Sequence, residues 1–274
     1  MTSAVRHPLN ESFTWAPHRP PFGHITAAQA AAYDQLGYFV IQDAFDPATV
    51  AEVTAEIDPF EHEFEESLRQ AEGGRAFIAR ADEITFTTHL VARSTRLRQF
   101  VAASPLLGVC ADLIGPDVRL YWDQAVYKKP GTAAPFPWHQ DNGYAYLEPQ
   151  QYLTCWIALT DATEENGCPW VVPGLHTMGT LRHHVSDTGL VCFDRTDEAV
   201  PAPVRAGGMV VFSSLTPHST GPNRTDAVRK AYIVQYAPDG AHVVVGPPRG
   251  DRQHVPADAP ERQFPVLVGG EPVH

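Results

Sequence analysis

The second half of this chain is divided into short runs of β-branched and aromatic residues separated by turn signals. Turn dipeptides such as Asn166-Gly167 and Gly207-Gly208 stand beside these runs. Many short strands at close spacing are typical of a barrel or sandwich, in which antiparallel strands enclose one core. We predict strands over residues 118–128, 135–139, 152–160, 168–173, 180–185, 208–213 and 228–237.

The first third of the chain has helical patterns instead. Thr26 is suited to cap a helix that runs to Leu36, and Gly37 is suited to end it. Asp46-Pro47 predicts the start of a second helix, which Pro59 is expected to break or restart. Helices followed by many short strands predict a mainly β fold with helices packed outside it.

The composition is that of a single globular domain. The chain has 274 residues, of which 43% are hydrophobic, and β-rich domains of this length commonly fold as one unit. We predict an irregular N-terminal arm over 1–25, the folded domain over 26–246, and a loop-rich tail over 247–274, where proline, glycine and charge dominate.

The charge excludes some classes of partner. A formal net charge of −12 repels phosphate backbones, which argues against a nucleic-acid partner. No apolar run approaches eighteen residues and the first residues lack an apolar leader, so we expect a cytoplasmic protein without a membrane contact. The four cysteines have no metal-ligand or disulfide spacing, and we expect reduced thiols at Cys110, Cys155, Cys168 and Cys192.

The segment Trp138-His139-Gln140-Asp141 carries a candidate metal site. In an extended segment, residues two apart point to the same face, so His139 and Asp141 can reach one point. An imidazole and a carboxylate are two of the three ligands in the facial triad that binds iron(II). An H-x-D tripeptide alone also occurs by chance, as a surface histidine beside a solvated aspartate.

A third ligand is available after the apolar run that ends at Phe212. His218 follows this predicted strand, and Arg229 enters the next one. A guanidinium group matches the geometry of a carboxylate better than an ammonium group does, so Arg229 is suited to hold the distal carboxylate of 2-oxoglutarate. The neighbouring Lys230 should point to the other face of the strand.

Taken together, these motifs resemble a known family. The order W-H-Q-D, then N-G-C-P-W-V-V-P-G-L-H from Asn166 to His176, then H-S-T-G-P-N-R-T with Arg229 downstream, is similar to the phytanoyl-CoA dioxygenase family of iron(II)/2-oxoglutarate enzymes. The resemblance extends from about Thr26 to Tyr236. It implies a double-stranded β-helix, or jelly roll, with helices outside.

The resemblance implies a role for several residues. His139, Asp141 and His218 become the catalytic metal ligands, and Arg229 binds the cosubstrate. Thr220 matches a hydroxyl residue that contacts the same carboxylate. The family also places cosubstrate contacts at the positions of Tyr127 and Trp156, although core packing explains both equally well. Thr154 shares a strand face with Trp156.

The implied reaction is hydroxylation of an unactivated C–H bond with iron(II), 2-oxoglutarate and dioxygen, releasing succinate and carbon dioxide. Related halogenases have a small residue in place of the carboxylate ligand, so Asp141 favours hydroxylation, while desaturation, epoxidation and cyclisation stay open. The alternatives are a cupin-like enzyme of the same fold, or a small-molecule binding protein, neither using 2-oxoglutarate. Arg229 argues against the cupin-like enzyme, which does not require it, and the intact set of His139, Asp141 and His218 argues against a binding protein that has lost catalysis.

The substrate is the least determined part of the prediction. A small metabolite or natural-product intermediate is favoured because the chain lacks an evident basic patch for coenzyme A. Residues 75–93 could form a lid whose arginines meet an anionic substrate, although a solvated face is the simpler interpretation. The oligomeric state is not predicted. Candidate substrate contacts near the motifs are Gln140, Asn142, Tyr144 and Trp170, and Tyr146 and His176 are further candidates for the pocket.

Overall fold

The strands after Val118 form antiparallel sheets that enclose a central cavity, as seen in a computed structural model of residues 4–194, 196–247 and 250–273. Helices cover the outside of the larger sheet. They are α1 (Ala27–Leu36), α2 (Pro47–Gln70), α3 (Thr95–Val101) and α4 (Leu106–Leu113). Within these ranges, short 3-10 helices lie at Glu72–Gly74, Leu90–Ala92, Asp141–Gly143 and Leu175–Met178.

The strands are numbered in chain order. The first ten are β1 (Tyr38–Ile41), β2 (Arg75–Ala76), β3 (Ala79–Arg80), β4 (Ile84–Thr88), β5 (Val118–Lys128), β6 (Phe136–His139), β7 (Leu147–Glu148), β8 (Leu153–Ala158), β9 (Pro169–Val171) and β10 (His184–Ser186). The others are β11 (Gly189–Val191), β12 (Val200–Pro201), β13 (Met209–Ser213), β14 (His218–Thr220), β15 (Arg229–Pro238), β16 (His242–Val245), β17 (Gln253–Pro256), β18 (Pro265–Val268) and β19 (Glu271–Pro272).

Two sheets build the walls of the cavity. The larger has the order β1-β13-β8-β15-β5-β4-β3-β2, with β18 also paired to β5. Facing it is a four-stranded sheet of order β12-β9-β14-β6. Strands β10 and β11 form a hairpin, and β17-β16-β7 form a third small sheet. This arrangement is the predicted double-stranded β-helix with outer helices.

Strand β13 shows why the strands of the larger sheet are continuous apolar runs in the sequence. All five of its residues are buried, because one face packs on the helices and the other faces the second sheet. Val211 belongs to the cluster under the helices, whereas Phe212 belongs to the cluster between the sheets. A sheet buried on both faces has no polar alternation, so its strands can be found from the sequence but their inner face cannot.

The predicted helix signals hold at α1 and fail within α2. Thr26 accepts a hydrogen bond from the backbone of Gln29 in a capping box, and Gly37 ends the helix with φ of 86°. The predicted break at Pro59 is wrong, because α2 continues through it to Gln70. The helix is buried on both sides of the proline, with Ile57 before it and Leu68 after it, and this packing outweighs the lost hydrogen bond.

The chain outside residues 26–246 is more structured than predicted. In the arm, the His18 ring lies 2.7 Å from Asp34 of α1, so the arm packs on the domain. The prediction of a loop-rich tail over 247–274 is wrong for three segments that form β17, β18 and β19. Strand β18 pairs with β5, and Val266 and Leu267 are buried in the main core. The tail therefore completes the larger sheet.

Two expectations from composition can be compared with the described residues. All four cysteines are free thiols. Within the ranges that the structure describes, no helix is both long enough and apolar enough to cross a bilayer.

A buried carboxyl under the helices predicts a pH-dependent stability. Asp123 on β5 is fully buried, accepts a hydrogen bond from the Tyr232 hydroxyl at 2.9 Å, and has one oxygen without a partner. Burial raises the pKa of Asp123 to about 6. Because the folded pKa lies above the unfolded one, stability is lost as the pH rises through the interval between them, and the full cost persists above pH 6.

Replacing Asp123 by asparagine, which mimics the protonated carboxyl, should therefore stabilise the protein by about 1–3 kcal/mol at about pH 8. The gain should shrink towards zero at about pH 4, where the wild-type carboxyl keeps its proton. Urea unfolding at both pH values measures the difference. Asp226→Asn, at an exposed position, is the matched control. A gain that is independent of pH would contradict the assignment.

Candidate active site

The three predicted metal ligands converge at one end of the cavity. His139 ends β6 and His218 begins β14, and the two residues are directly paired across these antiparallel strands. Asp141 begins the 3-10 turn after β6, which brings its carboxylate back towards both rings. Asp141 Oδ1 lies 4.0 Å from His139 Nε2 and 3.8 Å from His218 Nε2. One donor atom from each residue therefore lies within 4.8 Å of the other two.

Hydrogen bonds fix which nitrogen of each ring is available. His139 Nδ1 lies 2.8 Å from the Pro137 carbonyl, and His218 Nδ1 lies 3.0 Å from the Thr216 carbonyl. A carbonyl only accepts, so each Nδ1 carries the proton and each Nε2 keeps a lone pair. Both lone pairs belong to the atoms nearest Asp141, which is the arrangement that a metal ion requires.

Burial keeps both imidazoles neutral. The side chains are about 8% exposed. Burial, together with neighbouring His218, lowers the pKa of His139 to about 3, and burial lowers the pKa of His218 to about 4. Burial also raises the pKa of Asp141. Thr154 donates a hydrogen bond of 2.6 Å to Asp141 Oδ2 and leaves Oδ1 directed at the imidazoles.

The donor set fits iron(II) better than a structural zinc ion. Two imidazole nitrogens and one carboxylate oxygen form a facial triad, whereas structural zinc takes four protein ligands, commonly with thiolates. The triad lines a cavity of about 560 Å³, so its open side faces space for further ligands. Phe136 and Phe212 pack against the His139 and His218 rings and hold them in place.

A second feature of the site is a buried pair of basic side chains. Arg229 on β15 and Lys128 on β5 are cross-strand partners, and both are fully buried. Among the described residues, neither forms an ion pair, and Arg229 Nε and Nη2 have no hydrogen-bond partner. Burying an unpaired charge is costly, so this arrangement indicates an anionic ligand.

The two cations lie beside the metal site. Lys128 Nζ donates to Thr220 Oγ1 at 3.0 Å, and Thr220 lines the cavity two residues after His218. The Arg229 guanidinium lies 5.1 Å from the ring of Trp156, which also lines the cavity. Burial lowers the pKa of Arg229 to about 10, and burial with the neighbouring Arg229 charge lowers that of Lys128 to about 6.

The structure separates the predicted cosubstrate residues. It brings Arg229, Thr220 and Trp156 together, but it places Tyr127 on the opposite face of β5. The Tyr127 hydroxyl donates to Asp58 of α2 at 2.6 Å, outside the cavity. The structure therefore does not place Tyr127 at the predicted cosubstrate position. The next residue, Lys128, points to the cavity side of β5 instead. Lys230 is ion-paired with Asp58 and points away, as predicted.

Three of the four predicted substrate contacts do not line the cavity. Gln140 is fully buried and bonds to the backbone of Leu181 and Leu215, so it joins two loops. Asn142 bonds to Leu147 and Thr180 in the same way. Trp170 does not line the cavity, because it is paired with Ser219, whose side chain alternates with those of His218 and Thr220.

Only Tyr144 of that group lines the cavity, with its ring edge-on to His139. Tyr146 stacks on His7, and the His176 ring nitrogen lies 3.1 Å from the Asp34 carbonyl, so neither belongs to the site. Residues that the sequence analysis missed include Gln124 and Gln235, which line the cavity. Alternation from Lys128 along β5 could have identified Gln124.

Part of segment 75–93 forms one side of the cavity mouth. Ala76, Phe77 and Ile78 of the β2–β3 hairpin line it, and so does Phe86 of β4. The β10–β11 hairpin lies next to them, and its Leu190 also lines the cavity. The segment therefore borders the cavity, where a lid would have to lie, but no arginine of the segment lines the cavity.

The chain is similar to characterised proteins across most of its length. It is 29% identical over 219 residues to the methylphosphonate hydroxylase of Gimesia maris, covering 77% of this chain and 80% of that protein. EvdO2 from Micromonospora carbonacea var. aurantiaca, solved with 2-oxoglutarate, has a TM-score of 0.63, 25% identity, and coverage of 83% of this chain and 96% of that one.

A further structure supports the fold alone. EctD from S. alaskensis has a TM-score of 0.65 at 20% identity, covering 89% of this chain and 86% of that one. The family model for phytanoyl-CoA dioxygenase matches residues 33–231, which include the three metal-ligand positions and Arg229. The chain therefore belongs to the phytanoyl-CoA dioxygenase family of iron(II)/2-oxoglutarate-dependent oxygenases.

Proposed function

We propose that this protein hydroxylates an unactivated C–H bond of a small metabolite or natural-product intermediate. The observation that carries the proposal is a buried facial triad that lines the cavity, together with a buried arginine that has unpaired donors and lies against the cavity-lining ring of Trp156. The hydroxylase activity of the relative from Gimesia maris supports the same reaction class. Desaturation, epoxidation and cyclisation require the same metal ligands and the same arginine. Only identification of the product distinguishes them from hydroxylation.

Iron(II) held by His139, Asp141 and His218 would supply the oxidation of the C–H bond by dioxygen, coupled to conversion of 2-oxoglutarate into succinate and carbon dioxide. The protein's own groups bind and orient. The Pro137 and Thr216 carbonyls hold the imidazole tautomers, and Thr154 orients the carboxylate. The Arg229 guanidinium is suited to a bidentate bond with a carboxylate, and the apolar walls exclude water.

The alternatives from the sequence use the same triad without 2-oxoglutarate. A cupin-like enzyme or a binding protein would give no role to a buried arginine whose Nε and Nη2 face no partner. Leaving such donors unpaired costs about 1–3 kcal/mol each. A carboxylate ligand offsets this cost, so the arginine favours the oxygenase. We further propose that the enzyme acts in the cytoplasm on a small molecule.

Anaerobic titration of the protein with iron(II) and 2-oxoglutarate tests the proposal. Chelation of iron by the keto acid gives a weak visible charge-transfer band, which we expect in the wild type. On admission of air, slow consumption of 2-oxoglutarate with formation of succinate should follow. Tight iron binding without the band or succinate would support the cupin-like alternative, and would leave Arg229 a structural residue.

A further inference from the structure

The outer part of the cavity is walled by apolar and aromatic side chains. Phe77 and Ile78 come from the β2–β3 hairpin, Phe86 from β4, Phe64 from α2 and Trp122 from β5. Among the described residues that line the cavity, Asp141 is the one carboxylate, and there is no lysine or arginine. Beyond the metal ligands, the wall offers a ligand hydrocarbon and ring contacts rather than charge.

The arginines nearest the mouth are directed elsewhere. Arg80 donates to the Asp187 carbonyl at 2.8 Å, on the outer side of the two hairpins. Arg93 is held by Glu63 and lies over the ring of Phe60, 4.4 Å from its centroid. Arg75 is exposed and does not line the cavity. Arg229 and Lys128 do not line the cavity themselves but lie behind its wall, against Trp156 and Thr220. In the proposed function the cosubstrate carboxylate is bound at this cationic region.

We infer that the primary substrate is an uncharged, mainly apolar molecule that presents a ring or branched hydrocarbon to this wall. The inference rests on the proposed function, since it assigns the cationic region to 2-oxoglutarate. A second anion would lose its hydration without gaining a counter-charge, which is strongly unfavourable. A phosphonate, the substrate type named for the relative from Gimesia maris, does not fit this wall.

The volume of the cavity and its few polar groups constrain the size of the substrate and the hydrogen bonds that it can form. A volume of about 560 Å³ lies within the range of about 300–1,000 Å³ found for sites that hold drug-sized ligands. Gln124 and Thr88 line the cavity and offer an amide and a hydroxyl. Phe77 is 74% exposed at the mouth, although a bulky aromatic side chain gains by burial. A flat apolar ligand would cover it.

The test compares two probes of the same shape and different charge. Calorimetric titration at about pH 7 measures the dissociation constants of 2-naphthol, which is neutral, and 2-naphthoate, which is anionic, with methylphosphonate as a third probe. Anaerobic wild-type protein is saturated with iron(II) and 2-oxoglutarate beforehand. We expect 2-naphthol to bind at least about tenfold more tightly than 2-naphthoate, and methylphosphonate not to bind.

Variants locate the binding. Phe77→Ala should weaken 2-naphthol binding about fivefold or more, because loss of a central aromatic contact typically has this effect. Val268→Ser, at another exposed apolar residue but on β18, is the matched control and should leave binding unchanged. Equal or tighter binding of either anion would overturn the inference. So would failure of 2-naphthol to bind at its solubility limit, or an unchanged affinity in Phe77→Ala.

Repeating the titrations with Arg229→Met, without iron or 2-oxoglutarate, separates this inference from the proposed function. The variant lacks the guanidinium that could hold 2-naphthoate in the cosubstrate position. Preference for 2-naphthol in this variant supports an apolar ligand whatever the cosubstrate proves to be. If the charge-transfer band is absent while the preference remains, the proposed function fails and the ligand class stands. If the band is present and the preference absent, the proposed function stands and the inferred ligand class is wrong.

Discussion

Replacing Arg229 by methionine is expected to raise the KM for 2-oxoglutarate between about 30-fold and several thousand-fold. Truncating one member of a buried, hydrogen-bonded charge pair typically costs about 2–5 kcal/mol of binding free energy. The same change should leave the ligand-free protein as stable as the wild type or more stable, because it removes a fully buried and unpaired charge. Opposite effects on binding and stability distinguish a ligand-binding arginine from a structural one.

Lys230→Met is the matched control for this variant. It removes the neighbouring cation of β15, whose side chain points to Asp58 and away from the cavity. Steady-state succinate formation and urea unfolding of both variants give the two quantities. Wild-type affinity in Arg229→Met would contradict the assignment and make Lys128 the candidate partner of the carboxylate.

Replacing His218 by alanine is expected to abolish turnover and to weaken iron(II) binding by more than about 100-fold. Loss of a residue that merely orients a ligand typically costs 10–100-fold in affinity, so loss of one of three protein ligands should cost more. Anaerobic iron(II) titration against a competing chelator gives the affinity, and oxygen consumption gives the turnover.

His242→Ala serves as the control for His218→Ala. Outside the triad, His242, Glu148 and His254 are the other described group of side chains close enough to share a metal ion. The control should leave iron-dependent turnover unchanged. If His218→Ala kept wild-type iron affinity while His242→Ala lost it, the metal would be bound at this surface group and the triad assignment would be wrong.

The sequence locates the three residues of the candidate metal site because their signals are local. His139 and Asp141 stand only two apart in the sequence, and the 3-10 turn that follows β6 brings the Asp141 carboxylate to the same side as the His139 ring. His218 follows an apolar strand, and the pairing of β6 with β14 places it beside His139. Arg229 could be predicted because its guanidinium suits a carboxylate and because neighbouring residues of a strand point to opposite faces. Lys230 was therefore expected to point away from the site.

The cavity wall could not be predicted in the same way. Gln140 and Asn142 lie next to ligands in the sequence, but the turn after β6 directs them into loops at Thr180 and Leu181. Lys128 becomes a site residue through its pairing with Arg229, which is about a hundred residues distant in sequence. Non-local pairing of this kind leaves no local pattern, because both faces of the larger sheet are buried.

The two hairpins at the cavity mouth have a kinetic consequence. Their polar link is the exposed hydrogen bond from Arg80 to the Asp187 carbonyl. Such a bond contributes about 1 kcal/mol, which shifts an equilibrium only about fivefold. A ligand that passes between the hairpins therefore disturbs only this weak polar contact, and we expect ligands that cover more of Phe77 to leave more slowly. Slow-releasing products would be those that stack best at the mouth, so residence time and turnover number should vary inversely across a series of substrates.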